Sequence, residues 1–419
     1  MTRAPSRIVR SFAVAVAACL VAACGSSSRP DEDRSRSDTL VLSGATIYPS
    51  PTEAPVRDGV VVVRAGKIVA VGTRGEVAVP PGATVVDCRG RFLVAGFQNS
   101  HVHFIETKWD RAQALSAAQL SRQLEGLALR WGYTTVVDTG SDLANTLALR
   151  DRVVRGDVTG PRILTTGTPF YPVDGIPIYL KDSLPPALLA LLNTPATAGE
   201  SAATAARQID AGADAIKLFT GSVMGRGRVQ VMSSPIARAA ADEAHRRGRL
   251  VFTHATNVAG LEVALEAGVD VMAHALDDRD GFGDTHIERM KAGGMAMIPT
   301  LKLFGQRSDI ADTQRHVAAF ARAGGQILFG TDAGYLDDYD PGDEYALMAG
   351  AGLSWREVLA SLTTAPADRF GESGRRGRIA PGMDADLVLL DADPAADPAA
   401  FAKVRRTVRG GRIVYEAGR

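Results

Sequence analysis

The hydrophobic positions of this chain follow two rhythms, and the change between them marks its organisation. From residue 38 the segments "TLVLSGATIY", "GVVVVRAGKIVAVG" and "ATVVDCRGRFLVAG" are short, rich in β-branched residues and separated by glycine turns, which predicts strands. The same texture returns near the C-terminus in "RGRIAPGMDADLVLLDA" and "VRRTVRGGRIVYEAGR". Between about residues 96 and 376 short apolar runs alternate with longer stretches whose apolar positions recur three and four apart and end in glycine, such as "SPIARAAADEAHRRG". Eight strand candidates stand out: "GFQNSHVHF", "YTTVVDTG", "PRILTTGTPF", "DAIKLFTG", "LVFTHAT", "VDVMAHAL", "MAMIPTL" and "QILFGTDAG". Eight strand–helix units over about 280 residues predict an α/β fold of the (β/α)8 TIM barrel type. That barrel, residues 96–376, is inserted in a small β-sandwich domain built from both chain ends, residues 38–95 and 377–419. The stretch 171–198, with its "LPPALLALL", exceeds an ordinary connection and reads as a lid.

The first 37 residues follow neither rhythm. Arg3, Arg7 and Arg10 precede the apolar run "FAVAVAACLVAA", which is too short to span a bilayer and has the layout of a signal peptide. The following "VAACGSSS" resembles a bacterial lipoprotein box, so residues 1–23 read as a lipoprotein signal peptide and Cys24 as the lipidated residue. Residues 24–37, small and charged, read as a flexible tether. The expected location is therefore extracytoplasmic, lipid-anchored to a bacterial membrane through Cys24. With Cys19 removed and Cys24 acylated, Cys88 is left alone; it reads as a small core hydrophobe. Lys plus Arg and Asp plus Glu both total 47, so there is no net field to attract nucleic acid. The expected partner is a small-molecule substrate; oligomeric state stays open, a homo-oligomer included.

Chemistry concentrates where barrel enzymes keep it, at the C-terminal ends of the predicted strands. Strand one ends in His101 and His103, strand four carries Lys217, strand five His254, strand six His274 and strand eight Asp332. Residues i and i+2 of a strand share a face, so His101 and His103 can hold one ion together. His254 and His274 lie one strand–helix–strand step apart and suit a second ion. Asp332 offers a hard anionic oxygen on the last strand, which closes beside the first. Lys217 is the odd member. Burial and nearby metal charge would lower its pKa, and a neutral amine can add carbon dioxide to become a carbamate able to bridge two metals. Zinc is the expected metal on ligand type, with iron, manganese, cobalt and nickel as the other ions such a site accepts. His245, His286 and His316 fall on helices and loops and read as solvated. Tyr171 in the lid and Lys302 after strand seven are candidate substrate contacts, as are Arg226 and Arg228.

The order His-x-His, Lys, His, His, Asp, with "GADAIKLFTG", "ALEAGVDVMAHA", "FGTDAG" and "GRIAPGMDADLVLLD", resembles the metal-dependent amidohydrolase superfamily, in its imidazolonepropionase-related and prolidase-like branch. The resemblance implies a binuclear metal centre: His101, His103 and Asp332 on the first of two divalent ions, His254 and His274 on the second, and an N6-carboxylated Lys217 bridging them. It implies hydrolysis of a carbon–nitrogen bond, in an amide, cyclic amide or dipeptide, by a hydroxide held between the metals, with Asp332 as general base and then acid. The alternatives are an esterase, lactonase or phosphotriesterase on the same site, or a non-catalytic surface-binding lipoprotein. The chain departs from its relatives in "AGFQNSHVH", where Ala95 and Asn99 stand in place of a proline and an aspartate.

Overall fold

The valine-rich chain ends pair with each other in the computed structural model, which describes residues 39–418 apart from 185 and 226. Strands β1 (Thr39–Ile47), β2 (Val56–Arg64), β3 (Lys67–Thr73), β4 (Thr84–Asp87) and β5 (Phe92–Ala95) come first. The central run is β6 (Phe97–Val102), β7 (Tyr133–Asp138), β8 (Arg162–Thr165), β9 (Ala215–Phe219), β10 (Gly221–Val223), β11 (Val229–Val231), β12 (Leu250–His254), β13 (Val271–Ala273) and β14 (Ala296–Ile298). Strands β15 (Leu387–Leu390), β16 (Val404–Arg409) and β17 (Arg412–Glu416) close the chain.

One eight-stranded sheet in the order β17-β16-β15-β5-β1-β2-β3, with β4 also on β1, holds both ends. Its seam is β5 against β15, with Leu93 opposite Leu389 and Ala95 opposite Leu387. β1 changes partner midway, from β4 along Leu40–Ser43 to β5 at Thr46 and Ile47. The break falls at Gly44, whose φ of 94° suits a residue without a β-carbon. The sheet wraps a core of Leu42, Ile47, Val61, Val63, Leu93, Leu387 and Leu389, with Cys88 inside it. The switch of partner at Gly44 keeps all eight strands in one continuous hydrogen-bonded sheet built from both chain ends, as expected for the small β-domain.

Apart from the antiparallel pair β10–β11, the central strands are parallel and almost wholly buried, as strands covered on both faces are. They form two sheets, β6-β7-β8 and β14-β13-β12-β9. Single bridges join these sheets: Phe170 to Leu218 on one side, Met297 to Ile327 and Ala333 to Val102 on the other. The order of parallel neighbours therefore returns to its start. The eighth apolar run, 327–333, takes part through bridges alone rather than as a regular strand. Gly330 explains this: a β-carbon there would stand 2.4 Å from Ile298 and 2.7 Å from His101, so the segment is pinched between β14 and β6.

Inside the ring, Val137, Leu164, Ala215, Phe252, Val271, Ala296, Ile298 and Leu328 form an apolar plug. Several of them precede a polar strand-end residue by two to four positions: Ala215 before Lys217, Phe252 before His254, Leu328 before Asp332. Burying a side chain such as Phe252 contributes about 2–3 kcal/mol, so the plug is a rigid floor for what lies above. Helix starts around the ring are capped by side chains, Asp142 accepting from the Asn145 amide at 2.7 Å. The 171–198 stretch carries short helices at Ile178–Ser183 and Pro186–Leu189 and brings the Tyr179 ring to 5.6 Å from that of Tyr335, just past Asp332. No helix among the described residues is long and apolar enough to cross a membrane. The signal peptide, the tether, Cys24 and Arg226 lie outside the described residues.

Candidate metal centre

His101 on β6 and His103 just past its end bring their rings to the same side, where Asp332 meets them from the eighth segment. His101 Nε2 lies 3.2 Å from His103 Nε2, and Asp332 Oδ1 lies 3.3 Å from the first and 3.1 Å from the second. His101 is fully buried and Asp332 nearly so. Asn99 sets this corner: its Oδ1 accepts the His101 amide at 3.1 Å and its Nδ2 donates to Thr331 Oγ1 at 2.7 Å. The amide at position 99 thus ties β6 to the segment carrying Asp332, using a donor that an aspartate lacks.

Counting protons shows what the triangle needs. His103 Nδ1 faces the Gly140 carbonyl at 3.0 Å. A carbonyl only accepts, so Nδ1 carries the hydrogen and a neutral ring leaves Nε2 as a bare lone pair. Asp332 Oδ1 has no hydrogen-bond partner among the described residues. Adding a proton would create an imidazolium where burial, followed by Lys217, already holds His101 down to about 3. Asp332 is held well below the usual carboxylate range: burial opposes this, but the attraction of the nearby His274, His101 and His103 outweighs it. Two imidazole nitrogens and a carboxylate oxygen therefore converge, a donor set that one divalent cation fits. Edges near 3.2 Å are short enough for all three donors to hold one ion at the roughly 2.1 Å typical of nitrogen and oxygen ligands.

The other expected residues gather around this corner. The His274 ring lies 4.5 Å from that of His101, and the His254 ring 4.9 Å from that of His274. His254 pairs with Ala273 across the strands, one residue short of level with His274. Burial first, then Lys217, pushes His254 down to about 3; burial, then His101, drives His274 well below its usual range. Lys217 is buried on β9 and its ammonium is brought down to about 7 by burial, against the pull of Asp332. Phe219 stacks on His254 at 4.8 Å, and Tyr171 lies 4.7 Å from Phe219, so Tyr171 ends an aromatic wall that starts at a histidine of the site.

Lys302 sits differently. Its ammonium donates to Asp338 Oδ2 at 2.8 Å, the Asp338 carbonyl at 3.2 Å and the Asp340 carbonyl at 2.7 Å, so all three donors fasten a loop. Nor are the remaining histidines simply solvated. His245 pairs with Asp270 at 2.8 Å and His286 with Glu262 at 3.1 Å, while Phe282 packs between His286 and His316. Two neighbours of the site escaped the sequence reading. Asp277 Oδ2 stands 3.7 Å from His254 Nε2, its pKa raised to about 6 by burial, at the edge of a cavity of about 630 Å³ also lined by Arg228 and Arg307. Thr300 Oγ1 lies 2.7 Å from His274 Nδ1. Asp277 was hidden in the charged run "DDRDGFGD"; Thr300 is next to last in the seventh strand candidate, and that position was the available signal.

Known proteins carry the same arrangement of chain. The imidazolonepropionase of Stenotrophomonas maltophilia is 26% identical over 381 residues, 82% of this chain and 88% of the relative. A candidate prolidase of Bifidobacterium longum superposes with a TM-score of 0.76 at 26% identity, covering 91% of this chain and 95% of that one. A prolidase solved with N-methylphosphonate-L-proline gives 0.73 at 25%, covering 90% and 100%. The amidohydrolase family matches residues 92–414, from β5 through the strand-end residues to the last strands; the chain belongs to that family and is a hydrolase of carbon–nitrogen bonds.

Proposed function

We propose that this protein is a metal-dependent amidohydrolase that cleaves an amide, cyclic amide or dipeptide bond in a small substrate. The observation that carries the reading is the convergence of His101 Nε2, His103 Nε2 and Asp332 Oδ1, each within 3.3 Å of the other two. These three would hold one divalent ion, zinc on this donor set; His254 and His274 would take a second, with Lys217 between them. Such ions, when bound, polarise the substrate carbonyl and bring the pKa of water toward neutrality. The ring of parallel strands is read as the eight-stranded barrel, with its catalytic end where these side chains gather.

The protein's own groups supply the rest. With its pKa near 7, much of Lys217 is a free amine at neutral pH. Its lone pair can add to carbon dioxide, forming one N–C bond and releasing one proton, to give the carbamate. Asp332 takes the proton from the attacking water and returns it to the leaving nitrogen, since it alone in the triangle is an anionic base. The Phe219–Tyr171 wall offers an apolar side to the substrate and limits water there. An extracytoplasmic protein tethered through a lipid at Cys24 completes the proposal.

Metal analysis of the purified full chain, followed by a panel of N-acyl amino acids, dipeptides, cyclic amides, esters and phosphotriesters, tests this. About two equivalents of transition metal and turnover of the nitrogen compounds are expected. A chain that binds no metal at micromolar zinc overturns the reading; activity confined to esters or phosphotriesters replaces the substrate class.

A further inference from the structure

Four non-glycine residues with left-handed backbone stand at the ends of four successive strands of the ring: Thr256, His274, Thr300 and Asp332, at φ of 62°, 69°, 43° and 57°. Two are expected metal ligands. For a β-branched residue this conformation is an outlier that needs a reason. At Thr300 the reason is visible in its hydroxyl, which is fully buried and touches two groups: the Pro299 carbonyl at 2.9 Å and His274 Nδ1 at 2.7 Å. The backbone on either side is held. His274 N donates to the Ile298 carbonyl at 2.9 Å, and the buried Glu344 accepts the Lys302 amide at 2.7 Å, pinning the helix Leu301–Phe304 that begins at Thr300.

We infer that Thr300 is a positioning residue that sets the tautomer of His274, an inference that rests on His274 being a metal ligand. The hydroxyl has a single hydrogen. The Pro299 carbonyl can only accept, so the hydrogen goes there, and the oxygen lone pair left over accepts from His274 Nδ1–H. His274 then carries its proton on Nδ1, away from the other rings, and its Nε2 is a bare lone pair. Gly140 does the same for His103 with a carbonyl. At His274 the partner is a hydroxyl, carried on the left-handed Thr300 and within reach of both the ring and the Pro299 carbonyl. Partners of this kind, which orient a ligand through its other nitrogen, are worth about 10–100-fold in metal affinity.

The test uses the full chain with histidine-selective ¹⁵N labelling, alongside Thr300→Val, which keeps the shape, and Thr300→Ser, which keeps the hydroxyl. Long-range ¹H–¹⁵N spectra of the metal-free wild type should show His274 protonated on Nδ1. Zinc affinity, read by competition with a fluorescent chelator, should fall about 10–100-fold in T300V and recover to within a few-fold of wild type in T300S. A wild-type His274 protonated on Nε2 overturns the inference, whether or not either variant folds, as does a folded T300V that binds zinc as tightly as wild type. A wild type that binds no zinc, with His274 on Nδ1, would instead overturn the metal-centre reading and leave the hydrogen-bond assignment standing.

Discussion

Glu344 offers a way to test whether the elements behind the site are held as the structure has them. It is fully buried on the helix Gly342–Gly350, its Oε2 accepts the Lys302 amide, and its Oε1 has no hydrogen-bond partner among the described residues. Burial raises its pKa from 4.5 to about 7, against the backbone amides of Lys302 and Leu301. The folded pKa lies above the unfolded one, so its contribution to stability is present in full below about pH 4.5 and is lost as pH rises through 7. At about 1.4 kcal/mol per pH unit the loss is about 3 kcal/mol. Glu344→Gln removes this dependence but leaves a buried amide N–H₂ unpaired, a roughly constant cost of about 1–3 kcal/mol. The quantity to measure is therefore the slope: the Tm of the variant minus that of wild type, by differential scanning fluorimetry from pH 4.5 to 8. For an unfolding entropy of about 0.8 kcal/mol/K over roughly 380 residues, the difference should rise by about 4 °C in favour of the variant. Other titrating groups cancel in the subtraction. A difference that stays flat, or that moves against the variant as pH rises, refutes the reasoning.

Other outcomes follow from the same geometry. Asp332→Asn removes the anion of the triangle and the proton carrier, so bound metal should fall in elemental analysis and kcat by about 10²–10⁴-fold, with circular dichroism unchanged. Stripping metal with a chelator should abolish turnover and, for a metal at 1,000 times its Kd, lower stability by about 4 kcal/mol in thermal melts, both restored by zinc. Cys24→Ser should move the protein from the membrane fraction to the soluble one in a bacterial host, as read by immunoblot; a variant that stays with the membrane removes the lipid anchor from the proposal.

Much of the site could be read from the chain because its parts are set by backbone period. His101 and His103 share a face through the two-residue strand repeat at the end of β6, and His254 and His274 recur after one strand–helix–strand step. These relations need no knowledge of packing. Thr300 and Asp277 do: each acts through a hydrogen bond or close approach to a residue more than twenty positions away, and nothing in "MAMIPTL" announces a left-handed threonine. Lys302 shows the converse. It follows the seventh strand as a substrate contact would, but its ammonium turns to Asp338 and Asp340, a partnership that depends on where the 338–340 loop folds back. The change of partner at Gly44 was equally illegible, because alternation predicts which face of a strand is buried and is silent on which strand it pairs with.

The left-handed strand ends connect these observations. At about 1–2 kcal/mol each, four such residues store on the order of 4–8 kcal/mol, as much as the whole net stability of many proteins. Relaxed strand ends would be more stable, so the fold has to impose this geometry, and the bonds that do so are in place. Asp332 N donates to the His101 carbonyl at 3.0 Å, Thr256 Oγ1 to the Gly221 carbonyl at 2.8 Å, and Glu344 pins the segment after Thr300. Each bond runs to a neighbouring strand or helix, so no strand end can relax without breaking a contact made by another element. Two of the four residues are expected ligands and a third aims one of them. The strain therefore sits where the side chains must converge, which is what a site held open for a cation requires and what a merely well-packed strand end would avoid.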